Sequence, residues 1–389
     1  MSFPFRLPVL CDGITECCQL TENDSDICSE KIIFAAPECL INAKRQSVKN
    51  GSAVVLSPTG GVTHSRLEEF GLDEEFVTYN TFITEKTTEA VGTQIPVGGV
   101  AVPSRLFVPP YTRNIFEDAY FTYLEKMTVL KDAGVHFILM KNQNNLWDMR
   151  AGVLAAKSIN IPVFVTMKVD EDGKNPNGTD YIAALITLQA IGADAFGIFC
   201  KDIDASCRLL ERAFPHAEIP LIAVFNTEQS DMEQLTEISK SGASVFIDLA
   251  CWKNEEKRSV FQTAPSLFRL DTEKDSYAAA IDCEAFFLPD NLELSEPVDC
   301  TYDMSDNIID LDDENINAVY IMLNSTDDAA MLSENAAMSR LPFLIHANDS
   351  ITLEAALRYY QGRLIVDTRC DIDESELTSL SQKYGAILY

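Results

Sequence analysis

Four helical patterns in this chain stop at a glycine, each followed at once by a short apolar run: Asn50-Gly51, Ala133-Gly134, Ile191-Gly192 and Ser241-Gly242. Glycine just past a helix accepts the left-handed backbone that ends it. In the clearest case a helical pattern over Gly178–Ile191 turns into the strand of Ile191-Gly-Ala-Asp-Ala-Phe-Gly-Ile-Phe-Cys200 and ends on a cysteine. Eight runs are expected to be strands: Pro8–Cys11, Ala53–Ser57, Val97–Ala101, His136–Met140, Pro162–Met167, Ala195–Cys200, Leu221–Phe225 and Ser244–Asp248. Each is mostly apolar, as strands buried on both faces are. Helical patterns over Phe116–Ala133, Leu146–Ser158 and Asp231–Ser241 lie between them. Eight βα units over residues 1–255 predict an α/β fold of the (β/α)8 TIM-barrel type, with its chemistry at the carboxyl ends of the strands. Cys200 stands at such an end, and a buried packing thiol is the competing reading.

The pattern breaks after Trp252. Lys253–Arg258 is a charge run, read as a solvated linker or helix end. Then come Ala285–Leu288, Ala318–Leu323, Phe343–His346, Leu364–Asp367 and Ala386–Leu388, with a helix over Thr352–Tyr360 closed by Gln361-Gly362. They predict a smaller, truncated parallel α/β unit, Rossmann-like, too short to close a barrel of its own. The expected division is a barrel over 1–255, a linker over 256–280 and the truncated unit over 281–389. The acidic run Asp303–Glu314 reads as weakly structured.

Composition narrows the function. A net charge of −30 argues against nucleic acid or an anionic membrane as partner. No apolar run approaches membrane-spanning length, and the first residues lack the basic and apolar regions of a signal peptide. The expected location is cytoplasmic. Eleven scattered cysteines then read as reduced thiols or metal ligands.

Several stretches resemble the homocysteine S-methyltransferases, especially the N-terminal half of cobalamin-dependent methionine synthase. Val9-Leu-Cys-Asp-Gly-Ile-Thr-Glu is similar to the family's "LLDGAMGTEL", and Ala53-Val-Val-Leu-Ser-Pro-Thr-Gly follows its "GADIILTNTF". Arg66-Leu-Glu-Glu-Phe-Gly-Leu matches "KLxEYGL". FVTMKVDEDGKNPNGTD, Phe164–Asp180, is close to "VTMTFDEDGRTLTGTD". Gly192–Cys200 looks like "GADAIGLNC", and Leu341–Thr368 resembles the central βαβ of the methyltetrahydrofolate-binding barrel.

The resemblance implies methyl transfer to a thiol. Three cysteine thiolates hold zinc, which lowers the pKa of the substrate thiol. Cys200 fills the first ligand position. The family's "GGCC" pair is replaced by Gly242-Ala-Ser-Val-Phe-Ile-Asp-Leu-Ala-Cys251, where only Cys251 is near a ligand position. Cys17, or Cys11 or Cys18, would complete a rewired set, so the metal candidates are Cys200, Cys251 and Cys17. Substrate-contact candidates are Asp12, Gly13, Thr59, Lys141 and Asp170. Lys141 reverses the charge of the acidic residue in the family's "IETF". His346 and Asp367 replace family residues in the second unit, and His346 has no visible partner.

No Asp-x-His-x-x-Gly motif surrounds any histidine, so no cobalamin module is expected in this chain, and a separate cobalamin-binding protein becomes a partner to consider. Asp170-Glu171-Asp172 reads as a solvated loop, Gly98-Gly99 as a bulge or close approach to ligand, and Trp147 and Trp252 as packing aromatics. Two functions stay open: a homocysteine S-methyltransferase acting through zinc, or a catalytically inactive paralogue serving as a binding or protein-interaction module for a small thiol or amino acid.

Overall fold

The computed structural model describes residues 4–13, 29–107, 113–262, 278–301 and 304–389. Cys17 and Cys18 lie outside them. Strands β1 (Val9–Asp12), β2 (Val55–Leu56), β3 (Val97–Ala101), β4 (Phe137–Gln143), β5 (Val163–Lys168), β6 (Ala195–Phe199), β7 (Leu221–Phe225) and β8 (Ala243–Asp248) form one parallel sheet. β1 pairs with β8 from Val9↔Val245 to Asp12↔Asp248. A bridge between Cys11 and Val54 joins β1 to β2 and closes the ring. All eight expected strands are present within a few residues of their expected bounds.

Alternation along the strands sorts side chains into two layers. Phe137, Leu139, Phe164 and Ile222 fill the barrel interior, and Phe5 meets the Phe137 and Phe164 rings edge-on. Ile138, Met140, Phe196 and Ile198 face the surrounding helices. Gly98 is a close approach to protein: a Cβ there would lie 2.3 Å from the Phe137 ring. The helices start where short acidic side chains cap them. Asp180, Asp202 and Asp231 each accept from backbone N–H groups of the first turn, and Asp231 forms a capping box with Gln234.

After the helix Glu255–Gln262 the described chain resumes at β9 (Ala278–Ile281), which forms an antiparallel hairpin with β10 (Glu284–Phe287). The Ala285–Leu288 run therefore belongs to a hairpin and not to the parallel sheet. The fifth parallel strand is instead β11 (Val298–Asp299), followed by β12 (Val319–Leu323), β13 (Phe343–Ala347), β14 (Ile365–Val366) and β15 (Ile387–Leu388). Their order is sequential, so the sheet carries no topological switch point. Asp303–Glu314 contains a helix, Met304–Leu311, because Met304 and Ile308 share one buried face that its acidic composition obscured.

The two units share a core. Phe116, Trp147 and Ala151 of the barrel helices Arg113–Asp132 and Leu146–Ser158 pack with Ile308, Val319 and Tyr360. Arg150 is buried, and its guanidinium donates to the carbonyls of Leu357, Arg358 and Tyr360 at the end of the helix Ser350–Tyr359. A cation at the carboxyl end of a helix offsets the dipole there. Beside it Arg358 grips Glu117 through Nε at 2.6 Å and Nη2 at 2.9 Å.

Candidate functional site at the barrel mouth

Three of the substrate-contact candidates are built into the scaffold. Asp12 and Lys44 form an ion pair at 2.7 Å with both side chains buried, and Asp12 also accepts from the Leu56 N–H. Burial raises the Asp12 carboxyl pKa although Lys44 opposes it. Gly13 donates to the Asp248 carbonyl at 2.8 Å. A Cβ on Gly13 would stand 2.6 Å from the Leu249 Cα, so only glycine fits. The Thr59 hydroxyl accepts from the Val100 N–H and donates to the Val100 carbonyl, tying the loop after β2 to β3.

Lys141 and Asp170 are different. The β4–β5 register shifts between Met140 and Gln143, and Asn142 takes a left-handed φ of 54°. This bulge sets Lys141 above Leu139, where it bounds a residual space of about 10 Å³ at the apex of the barrel interior. Lys141 also borders a cavity of about 840 Å³ to one side, above the ends of β2 and β3. Burial, with Lys44 adding to it, lowers the Lys141 pKa. Asp170 is exposed and accepts from the N–H groups of Asp172 and Lys174 in its own turn. It lines a shallower cavity of about 520 Å³ together with Cys200.

Among the described cysteines, Cys200 stands in a different layer from Cys11 and Cys251. Strand alternation puts Phe199 with the interior residues and Cys200 in the strand–helix layer. Burial raises the Cys200 thiol pKa. Cys251 sits across the mouth in a left-handed conformation, donates to the Gly13 carbonyl at 3.4 Å, and is pushed up to about 12 by burial. Cys11 lies beneath it in the interior, and burial holds its pKa well above the ordinary thiol value. Among the described residues, no three His, Cys, Asp or Glu side chains stand together as a metal site. The described donors therefore do not fit a three-thiolate zinc centre.

Asp248 accounts for much of this, and sequence reasoning assigned it no positive role. Its buried carboxylate accepts from the Thr227 N–H and hydroxyl and from the N–H groups of Ala250 and Trp252. The chain after β8 wraps around it, placing Leu249 over the barrel apex and turning Trp252 so that Nε1 donates to the Cys11 carbonyl. An aspartate ending an apolar strand just before a turn was the available signal.

A family model described as homocysteine S-methyltransferase matches residues 11–258. The chain belongs to the homocysteine S-methyltransferase family. The methionine synthase of Mycobacterium leprae (strain TN) is 23% identical over 214 residues, covering 51% of this chain and 18% of that protein. The methionine synthase of Mycobacterium tuberculosis (strain ATCC 25618 / H37Rv) is 24% identical over 217 residues, with the same coverage. The match thus spans less than a fifth of those relatives. The metallated form of the Escherichia coli homocysteine methyltransferase MmuM superposes with a TM-score of 0.56 at 17% identity, covering 66% of this chain and 96% of that one. The apo form gives 0.51 at 15% identity. These likenesses show a shared barrel fold.

Beyond the matched residues of this homocysteine S-methyltransferase family member, a polar cluster joins Tyr320 of β12 to the carboxyl ends of β13 and β14. Asp367 accepts from the Tyr320 hydroxyl at 2.7 Å and from Arg369 Nε at 2.9 Å, and His346 Nδ1 lies 3.1 Å away. Burial alone would raise the Asp367 carboxyl pKa, but the hydrogen bonds from Arg369, Tyr320 and His346 outweigh it and hold it well below the usual range. The partner of His346 therefore stands just past the next strand, 21 residues further on. Both tryptophans are fully buried packing residues.

Proposed function

We propose that the chain is a small-molecule-binding member of the homocysteine S-methyltransferase family that has lost the zinc-dependent transfer step. The observation that carries this reading is the direction of Cys200. Its thiol lies in the strand–helix layer, while Phe199, Leu249 and Lys141 occupy the top of the barrel. Catalysis needs its groups assembled in one geometry, and isolated members of a set supply little. The ligand would be a small thiol or amino acid. In the assay, homocysteine is incubated with several methyl donors while thermal stability is followed. Ligand-dependent stabilisation without turnover is expected. Methylated product above the protein-free background would overturn the reading.

One observation favours a second reading, methyl transfer through zinc. The Cys251 thiol meets the carbonyl of Gly13, and Cys17 follows four residues later in sequence. A set built from Cys251 and Cys17 would give about one equivalent of zinc per chain, lost on Cys251→Ala. The methionine synthase likeness makes a separate cobalamin-binding protein the partner to test. A truncated pterin-binding role for residues 281–389 belongs to the same proposal, supported by the polar cluster at the strand ends. A reducing compartment such as the cytoplasm suits the eight described cysteines, all free thiols.

A further inference from the structure

The protein carries a net charge of −30, yet its cavity of about 840 Å³ is lined in the opposite sense. Arg66, Arg105, Lys126 and Lys141 border it, and among the described residues Glu30 is the one carboxylate there. Glu30 already faces Arg66 at 3.7 Å. Lys126 is committed to the carbonyls of Thr59 and Val62 and the side-chain oxygen of Asn80, which fixes the cavity floor.

That leaves Lys141 and Arg105. Among the described residues neither side chain makes a hydrogen bond or ion pair. Lys141 is largely withdrawn from water, and burial disfavours its charged form. A desolvated ammonium with no acceptor is costly unless an anion joins it. Arg105 holds a left-handed φ of 63°, a conformation that non-glycine residues seldom adopt and that concentrates at ligand sites. Asn142, next to Lys141, is left-handed too.

We infer that this off-axis cavity binds a small oxyanion-bearing molecule, a carboxylate or a phosphate, held by Lys141 from the barrel mouth and Arg105 from the loop after β3. The guanidinium supplies a planar fork for two oxygens and the ammonium a point charge. The cavity is large enough for a metabolite-sized ligand. The assignment rests on the reading that the barrel holds a small molecule, and it specifies the charge of that molecule.

The test is calorimetric titration of the full chain with succinate, inorganic phosphate and, as a cationic control, methylammonium. Succinate or phosphate should bind, methylammonium should not, and Lys141→Met and Arg105→Gln should each weaken the anion at least tenfold. Circular dichroism and thermal melts of both variants check that they fold. Arg105 is exposed, so its replacement tests the site even if Lys141→Met is unstable. Binding of an anion with undiminished affinity to a folded variant overturns the inference, as does a preference for methylammonium. A parallel titration with homocysteine separates the two levels. Homocysteine binding without anion binding removes the inference and leaves the proposed function standing, whereas binding of neither removes both.

Discussion

At the residue scale, the buried pair Asp12–Lys44 is the most exposed to substitution. Asp12→Asn would remove the buried carboxylate that pairs with Lys44 and accepts from the Leu56 N–H, at a cost of up to about 3–5 kcal/mol. Urea unfolding should show the midpoint fall accordingly, and Asp12→Asn with unchanged stability would refute the scaffold role assigned to this pair. The resemblance of Val9–Glu16 to the family's "LLDGAMGTEL" pointed to Asp12 as a site residue, but could not show that Lys44, 32 residues on, would claim its carboxylate. Cys200 was legible in the same limited way. Its place at the end of β6 could be read, but its direction depends on which alternate residues face the interior, and that is settled by the packing of Phe199 and Ile198.

At the element scale, the turn after β8 depends on one side chain. Asp248→Ala would strand the N–H groups of Ala250 and Trp252 and release the wrap that holds Leu249 over the barrel apex. Trp252 is fully buried, and Trp147, the other tryptophan, lies in the core shared with the second unit. The variant's intrinsic fluorescence should therefore shift to the red through Trp252 alone, a change absent from a Trp252→Phe, Asp248→Ala double variant. An unshifted spectrum would count against Asp248 as organiser of the turn. The barrel strands were legible because glycine stops and continuous apolar runs recur along the chain. β11 was not, since two residues leave no periodicity to read, and the Met304–Leu311 helix was hidden by its aspartates.

At the scale of the whole molecule, pH dependence follows from a few buried carboxyls. Burial pushes Asp148 and Asp282 each up to about 6. The folded chain keeps these protons between about pH 4 and pH 6, where the unfolded chain has lost them. Their stabilisation is complete below that window, falls by up to about 3 kcal/mol each as pH rises through it, and is flat above. Asp367 works in the other direction, contributing above about pH 4 and losing its contribution in stronger acid. Asp282→Asn keeps an acceptor for the Thr179 hydroxyl and removes the titration. Its melting temperature should exceed that of the parent at pH 8 and match it near pH 4. An equal shift at both pH values would exclude Asp282 as the source. The join between the two units was not legible at all, because Arg150 and the carbonyls it caps lie more than 200 residues apart.

The reading of the molecule as a binding barrel rests on the described thiols, which form no three-ligand cluster. Zinc content of the purified chain, measured by mass spectrometry after dialysis against a weak chelator, probes that directly. The account predicts far less than one equivalent, unchanged by Cys200→Ala or Cys251→Ala. About one equivalent per chain, lost in either variant, would contradict it.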